Sequence, residues 1–518
     1  MGQEIGQGGF FFPKVYRESK EGVVAALQKG ELDLVAVSRW HLADEFFAYV
    51  LGTKFLEYAD KTYPNPRKKN EVPVWFQISC QLLLHALGCV SYKALDALLH
   101  AGPILNRVGF NVVAPIGFND KNKYERVTPV HQDAVRKFFK DTDPISMRRW
   151  FSTDLQHWFR SKNMYDSQGV YILDQTHVVV PDNANYEDAV RMPVDAHGQR
   201  YKNYKEFTSE QKKALPHHPC YALSTLLHLN FKKETAHFAG YEWGAGNVDE
   251  LPQATKLIDT FFLHNDPGAI KLLIVDRGYV SGKFITYVKS AYKVDVLVPL
   301  KTSMDQYKDA IALSKMSDAK WVAVHERGSL PTDTSRSVRA CTIEKIDLWD
   351  ECKVPLYTTV IEDIHIDDDD DFDDDALATR YFVLVSTRKF ETPHEVIRSY
   401  RWRSKTEECF RQLKLAWDLA SFPSPDRSLI EAHINFTLIT FCLFQLFLAD
   451  EKRPRGQTRR MINSLMRDHI TLKDSLVLYA NHHFGIFSSK EYLKLITLLP
   501  KEAQTKIVNS LDSLPNQF

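Results

Sequence analysis

Two apolar runs, each carrying one aspartate, constrain the fold of this chain more than any other feature. The first, Gly169-Val-Tyr-Ile-Leu-Asp174-Gln-Thr-His-Val-Val-Val180, is β-branched and aromatic, and predicts a strand with Asp174 in it or at its end. A carboxylate among such neighbours requires a partner, and a cation would supply one; capping a turn is the plainer role. The second, Ile270-Lys-Leu-Leu-Ile-Val-Asp276-Arg-Gly-Tyr279, predicts a short strand ending in Asp276. Gly278 is expected to let the chain turn sharply into a helix beginning near Ser281. Asp276 then stands at the carboxyl end of its strand, the edge at which open α/β sheets bind ligands. Between the two runs, strands over Tyr221 to Phe231 and His237 to Trp243 precede a helix from Leu251 to His264, an order of three strands and then a helix.

A third acidic position lies in Ser399 to Asp418. This stretch holds no Pro or Gly and alternates with helical period, so it predicts one helix. At ~100° per residue, Tyr400, Arg403, Glu407 and Lys414 fall within an arc of roughly 60°, with Trp402, Cys409 and Leu413 opposite. Such a face is either solvated, with pairs such as Arg403 and Glu407 at i,i+4, or a polar surface put to use.

The spacing Tyr400-x2-Arg403-x3-Glu407-x6-Lys414 resembles the Y-R-E-K signature of one branch of the DDE transposases of bacterial insertion sequences. Asp174-x-Thr176 and Asp276-x-Gly278-Tyr279 are similar to the first and second motifs of that family, and the likeness extends over about residues 170 to 420. It implies an α/β protein with an RNase H-like catalytic core. Asp174, Asp276 and Glu407 would be catalytic and would ligate two Mg2+ ions, with Mn2+ able to substitute. Asp174 would bridge the two ions, with Asp276 and Glu407 on one each. Tyr400, Arg403 and Lys414 would contact DNA. It further implies nicking at transposon ends, excision through hairpins and strand transfer into target DNA within a homodimeric synapse. Two rival readings are a metal-dependent nuclease on the same core and a non-catalytic DNA-binding derivative.

The remaining chain fits around that core. β-like runs at Trp321 to Val324, Ser337 to Ile343, Pro355 to Ile361 and Tyr381 to Val385 predict a β-rich insertion, although the last could close the main sheet. Relatives use such an insertion to hold the transposon end, where a Trp stacks on an everted base; Trp321 and Trp349 are the candidates, with a core role as the alternative. Lys and Arg number 66 and Asp and Glu 66, but ten of the acids lie between Glu362 and Asp375, leaving 66 basic groups against 56 acidic ones elsewhere. That balance is compatible with DNA, and the acidic run is expected to be a solvated loop. Residues 1 to about 165 read as mostly helical, with apolar residues recurring at helical spacing from Leu32 to Leu56 and the turn cluster Pro64-Asn65-Pro66 closing that unit. Trp75 to Leu87 and Ser91 to Leu99, joined by Gly88-Cys89-Val90, have the outline of a helix-turn-helix. Lys121 to Lys162 holds ten basic and five acidic residues interleaved with Phe138, Phe139, Trp150, Trp158 and Phe159, which suits either phosphate tracking or a core. His433 to Leu448 reads as a buried helix too short for a bilayer, and Lys452 to Arg467 carries six basic groups and no acid.

The seven cysteines show neither C-x-x-C nor disulfide spacing, and no membrane partner or export signal is expected, which predicts a reduced, cytoplasmic protein; the resemblance implies a bacterial one, nucleoid-associated when bound to DNA. The expected organisation is a helical DNA-binding domain over 1–165, the core over 166–300 and 381–450, a β-rich insertion with the acidic loop over 301–380, and a helical basic C-terminal region over 451–518.

Overall fold

The computed structural model describes residues 16–512 apart from 39–40, 90, 100–105, 107–117, 119–127, 183–184, 202–203, 205–206, 317, 326–336, 344–348, 364–379 and 453–474. Most of the acidic run, the basic stretch after Lys452 and the start of the basic, aromatic stretch from Lys121 therefore lie outside the described residues. The chain forms two compact units: Phe159–Asp182 with Asp188–Gln412, and Met1–Trp158 with Asn183–Glu187 and Leu413–Phe518.

The first unit is built on one mixed sheet. Its strands are β1 (Val170–Val179), β2 (Val190–Met192), β3 (His218–Asn230), β4 (Thr235–Ala245), β5 (Leu272–Val275), β6 (Asp295–Pro299), β7 (Val322–His325), β8 (Ser337–Ile343), β9 (Tyr357–Asp363) and β10 (Tyr381–Ser386). They run in the order β2-β3-β1-β5-β6-β10-β9-β8-β7, with β4 paired to β3. β3 lies antiparallel to β1, β4 antiparallel to β3, and β5 and β6 parallel to β1 and to each other. Helices α1 (Glu250–Phe262), α2 (Gly282–Tyr292) and α3 (Asp305–Ser314) contribute Leu257, Ile285 and Tyr307 to the core beside Leu273 and Val296 of the sheet. Asp249 and Ser281 start α1 and α2 by accepting hydrogen bonds from the amides of Leu251 and Phe284, so the expected strand-helix order holds within a few residues.

The β-like runs from Trp321 onward extend this same sheet, because β10 pairs with β6 and carries β9, β8 and β7 outward in antiparallel steps. Trp349 is buried in the sheet core, and Trp321 packs against that core while its Nε1 donates to the Ser314 carbonyl. Both have the core role named as the alternative to base stacking. Glu362, the first acid of the acidic run, is not solvated. It lies on β9, 1% exposed, and accepts hydrogen bonds from Arg339, Arg380 and Tyr381. Burial alone would raise its carboxyl, but these donors hold it below the usual glutamate value.

The second unit surrounds a 24-residue helix, Arg427–Asp450, started by Asp426. Its length and apolarity would suffice to cross a membrane, but most of it is buried in the unit, so burial rather than shortness makes it a core helix. Glu431 on it is fully buried and takes the Arg148 guanidinium. Phe138, Phe139, Trp150 and Trp158 are buried too, the core alternative for that aromatic stretch. Of the helix-turn-helix outline, the first helix, Val74–Ala86, is buried along its whole length, and the second, which in such a motif would enter the groove, is the five-residue Ala94–Leu98. The expected helical N-terminal and C-terminal regions are corrected. Leu34–Ser38 is a strand, and a four-stranded sheet joins it and Arg17–Glu18 to the hairpin Ser475–Ala480 and His483–Ser488.

Candidate active site

The sheet places two of the three acids by register alone. β1 and β5 pair in parallel up to Leu173 opposite Val275, so the next residue on each strand is an aspartate, and Asp174 stands beside Asp276. Asp174, in mid-strand, is 8% exposed. Burial pushes its carboxyl up to about 7; Arg403 opposes that rise and the Asp276 charge adds to it. Asp276 ends β5, opens the one-turn helix Arg277–Tyr279, and has a side chain 42% exposed.

The third acid arrives by a different path from the expected one. Ser399 to Asp418 is two helices, α4 (Pro393–Arg401) and α5 (Ser404–Ala416), with Trp402 and Arg403 between them. Two anchors act on those residues: the Trp402 ring lies 4.6 Å from that of Phe231, and the Arg403 guanidinium is drawn to the acids. Arg403 lies 3.5 Å from Asp174, 3.9 Å from Asp276 and 2.5 Å from Glu407, so a single cation meets all three carboxylates. Glu407 and its bond to Arg403 at i,i+4 occupy the first turn of α5. Lys414 follows seven residues later on the same helix.

Tyr400 ends up half-buried near this cluster, its ring 5.7 Å from Phe382 and 6.0 Å from the Arg403 guanidinium. Burial pushes its hydroxyl up to about 12, with Arg403 pulling the other way, which keeps it a neutral hydrogen-bond donor. Arg277 lies over the Phe382 ring at 5.1 Å, so the aromatic pair is bracketed by two guanidinium groups. Beside Asp174, Gln175 Nε2 and Ser224 Oγ both donate to Gln253 Oε1 at 3.1 Å and 2.7 Å, tying the strand to α1.

Sequence reasoning missed Arg277 and Glu250. Glu250, the first residue of α1, pairs with Arg200 at 3.3 Å, and its Oε2 lies where a Cβ on Gly278 would stand, 1.8 Å from that position. Gly278 is absent from the positive-φ residues, so it does not serve a left-handed turn, contrary to the expectation; a side chain there would displace the end of Glu250. The signal for Arg277 was present in Asp276-Arg-Gly; that for Glu250, an acid opening a helix, is too common to stand out.

Three hard carboxylate oxygens around one positive charge suit a divalent cation, and the buried Asp174 requires a positive partner in any state in which it is ionised. Among the described residues no three acidic, His or Cys side chains form a ready coordination shell; the three acids are gathered around a guanidinium instead.

A mixed sheet that carries two strand-borne aspartates and a helix-borne glutamate to one cation defines an acidic site of the α/β class. The family model described as Transposase DDE domain matches residues 166–443, more than half of the chain, and the protein belongs to that family of DNA-cleaving transposases. No curated protein matches the chain.

Proposed function

We propose that this transposase belongs to the Y-R-E-K branch and works on an RNase H-like core, with Asp174, Asp276 and Glu407 as its catalytic acids. The observation that carries the reading is their convergence, from two strands and a helix, on Arg403. The run β4-β3-β1-β5-β6, its first three strands antiparallel and its last two parallel to β1, supports the core assignment. Two Mg2+ ions, or Mn2+ in their place, held by the three acids would activate the attacking oxygen and balance charge on the leaving oxygen. Asp174, the most deeply placed of the three, would hold the ions together with Asp276 and Glu407. Arg403 has a guanidinium suited to carboxylate and phosphate alike, so it holds the triad together and turns to a DNA phosphate when one is present. Lys414 and the neutral Tyr400 hydroxyl contact the same strand.

The reading extends to the ends of an insertion sequence as substrate, hairpin-mediated excision, joining of 3′ ends to target DNA, and a homodimeric synapse in the cytoplasm. Asp174→Ala, Asp276→Ala and Glu407→Ala should each lower end cleavage by at least ~100-fold while leaving gel-shift affinity for the end within a few-fold, because ligation and phosphate contact are separable. With end-labelled DNA, Mg2+ and a supercoiled target, label should become covalently joined to the target. Efficient cutting with neither hairpins nor joined products, under any metal or salt condition, would favour the nuclease.

A further inference from the structure

We propose that Glu250 is a positioning residue of this site, a fourth carboxylate seated in the space left by Gly278 that sets the Asp276 turn and strengthens cation binding there without being a direct ligand. The proposal rests on the reading of Asp276 as a metal ligand. Its basis is steric. The backbone at Gly278 does not demand glycine, yet a Cβ there would lie 1.8 Å from Glu250 Oε2 and 2.9 Å from its Cδ. The missing side chain is therefore the seat of a carboxylate, two residues from Asp276. Glu250 is only 22% exposed at its side chain, and Arg200 is paired with Oε1, which leaves Oε2 toward the turn. An acid at the first position of α1 is favoured by the helix dipole, and the charges of Arg200 and Lys301 both act on it. Two carboxylates on either side of a tight turn repel each other; a cation bound at Asp276 reverses that cost, since each added negative charge then draws it in. Glu250 acts through water on the bound ion and through the position of the turn, as outer-shell groups do.

The test uses the full-length protein and Mn2+ alone, following free Mn2+ by electron paramagnetic resonance. Glu250→Gln should weaken Mn2+ binding about 10-fold. Gly278→Ala, which displaces the carboxylate with Glu250 intact, should do the same. Glu250→Asp, keeping the charge, should recover most of the affinity. In cleavage assays the Glu250→Gln defect should lie in kcat, be relieved by higher Mn2+, and leave KM for DNA unchanged. Asp276→Ala separates the two layers of the argument. If it abolishes binding while Glu250→Gln stays within twofold of wild type, the role of Glu250 is overturned; if Asp276→Ala itself leaves Mn2+ binding unchanged, the ligand assignment fails. Should Glu250→Gln melt early, Glu250→Asp decides: failure to recover Mn2+ affinity reduces Glu250 to a structural residue and overturns the proposal.

Discussion

Asp174 is held where its charge is least welcome. Its carboxyl titrates near 7 in the folded protein against 3.8 as a free group, so the folded state binds a proton that the unfolded state has released between those values. Stability from this group is therefore full below about pH 4 and lost as pH rises through 7. Without metal, Asp174→Asn should match wild type in urea unfolding at pH 4 and exceed it at pH 8, by a few kcal/mol on the scale of ~1.4 kcal/mol per unit. An equal gain at both pH values would trace the effect to packing instead. The strand position of this acid was legible because Val-Tyr-Ile-Leu-Asp174 runs on into Gln-Thr-His-Val with no Gly or Pro to end the strand. Its cation was not legible: nothing in the spacing of Arg403 distinguishes a residue facing DNA from one facing two strands that are distant in sequence. Gly278 is the reverse case, conspicuous in the sequence but there for a different purpose. Glycine usually supplies backbone freedom, and only the position of Glu250 shows that the space beside this one holds a carboxylate.

At the level of elements, helices and strands announced themselves by period, but their breaks did not. Ser399 to Asp418 reads as one helix because nothing in it breaks a helix. The division at Trp402 and Arg403 is imposed by Phe231 and the three acids, which are tertiary partners. One local signal, Ser404 and Glu407 at capping-box spacing, falls at the right place although no box forms: Ser404 is the first residue of α5 and its Oγ donates to the Arg401 carbonyl. In the same way Asn481-His482, both with positive φ, separates two apolar runs as a two-residue hairpin turn does. β9 carries the prediction of this scale. Glu362 is buried beneath Arg380 and the half-exposed Arg339, so Glu362→Ala removes the acceptor shared by these two and Tyr381 and should cost about 2–3 kcal/mol in chemical denaturation. A loss below ~1 kcal/mol would return Glu362 to the solvated loop that composition suggested.

Across the whole molecule, both units store neutral histidines. His228 and His237 are buried in the sheet unit, His85 and His433 in the other, and burial lowers all four, His228 and His433 to about 4. The unfolded chain takes up these protons near 6.5 while the folded chain resists to about 4, so stability is complete above pH 6.5 and falls steadily as the medium is acidified toward 4. The melting temperature should drop between pH 7 and pH 5. His237→Phe, which removes a ring with neither nitrogen hydrogen-bonded, should flatten that slope; an unchanged slope would exonerate this histidine. The pairing of Leu34–Ser38 with Ser475–Ala480 has a consequence in time. Ser38 and its partner Ser475 are separated by 437 residues, which a ribosome adding roughly 5–20 residues per second covers in about 20–90 s. Through that interval the sheet bearing the acids has emerged and can close on itself, while Leu34–Ser38, which among the described residues pairs with Ser475–Ala480 alone, waits without a strand on either edge.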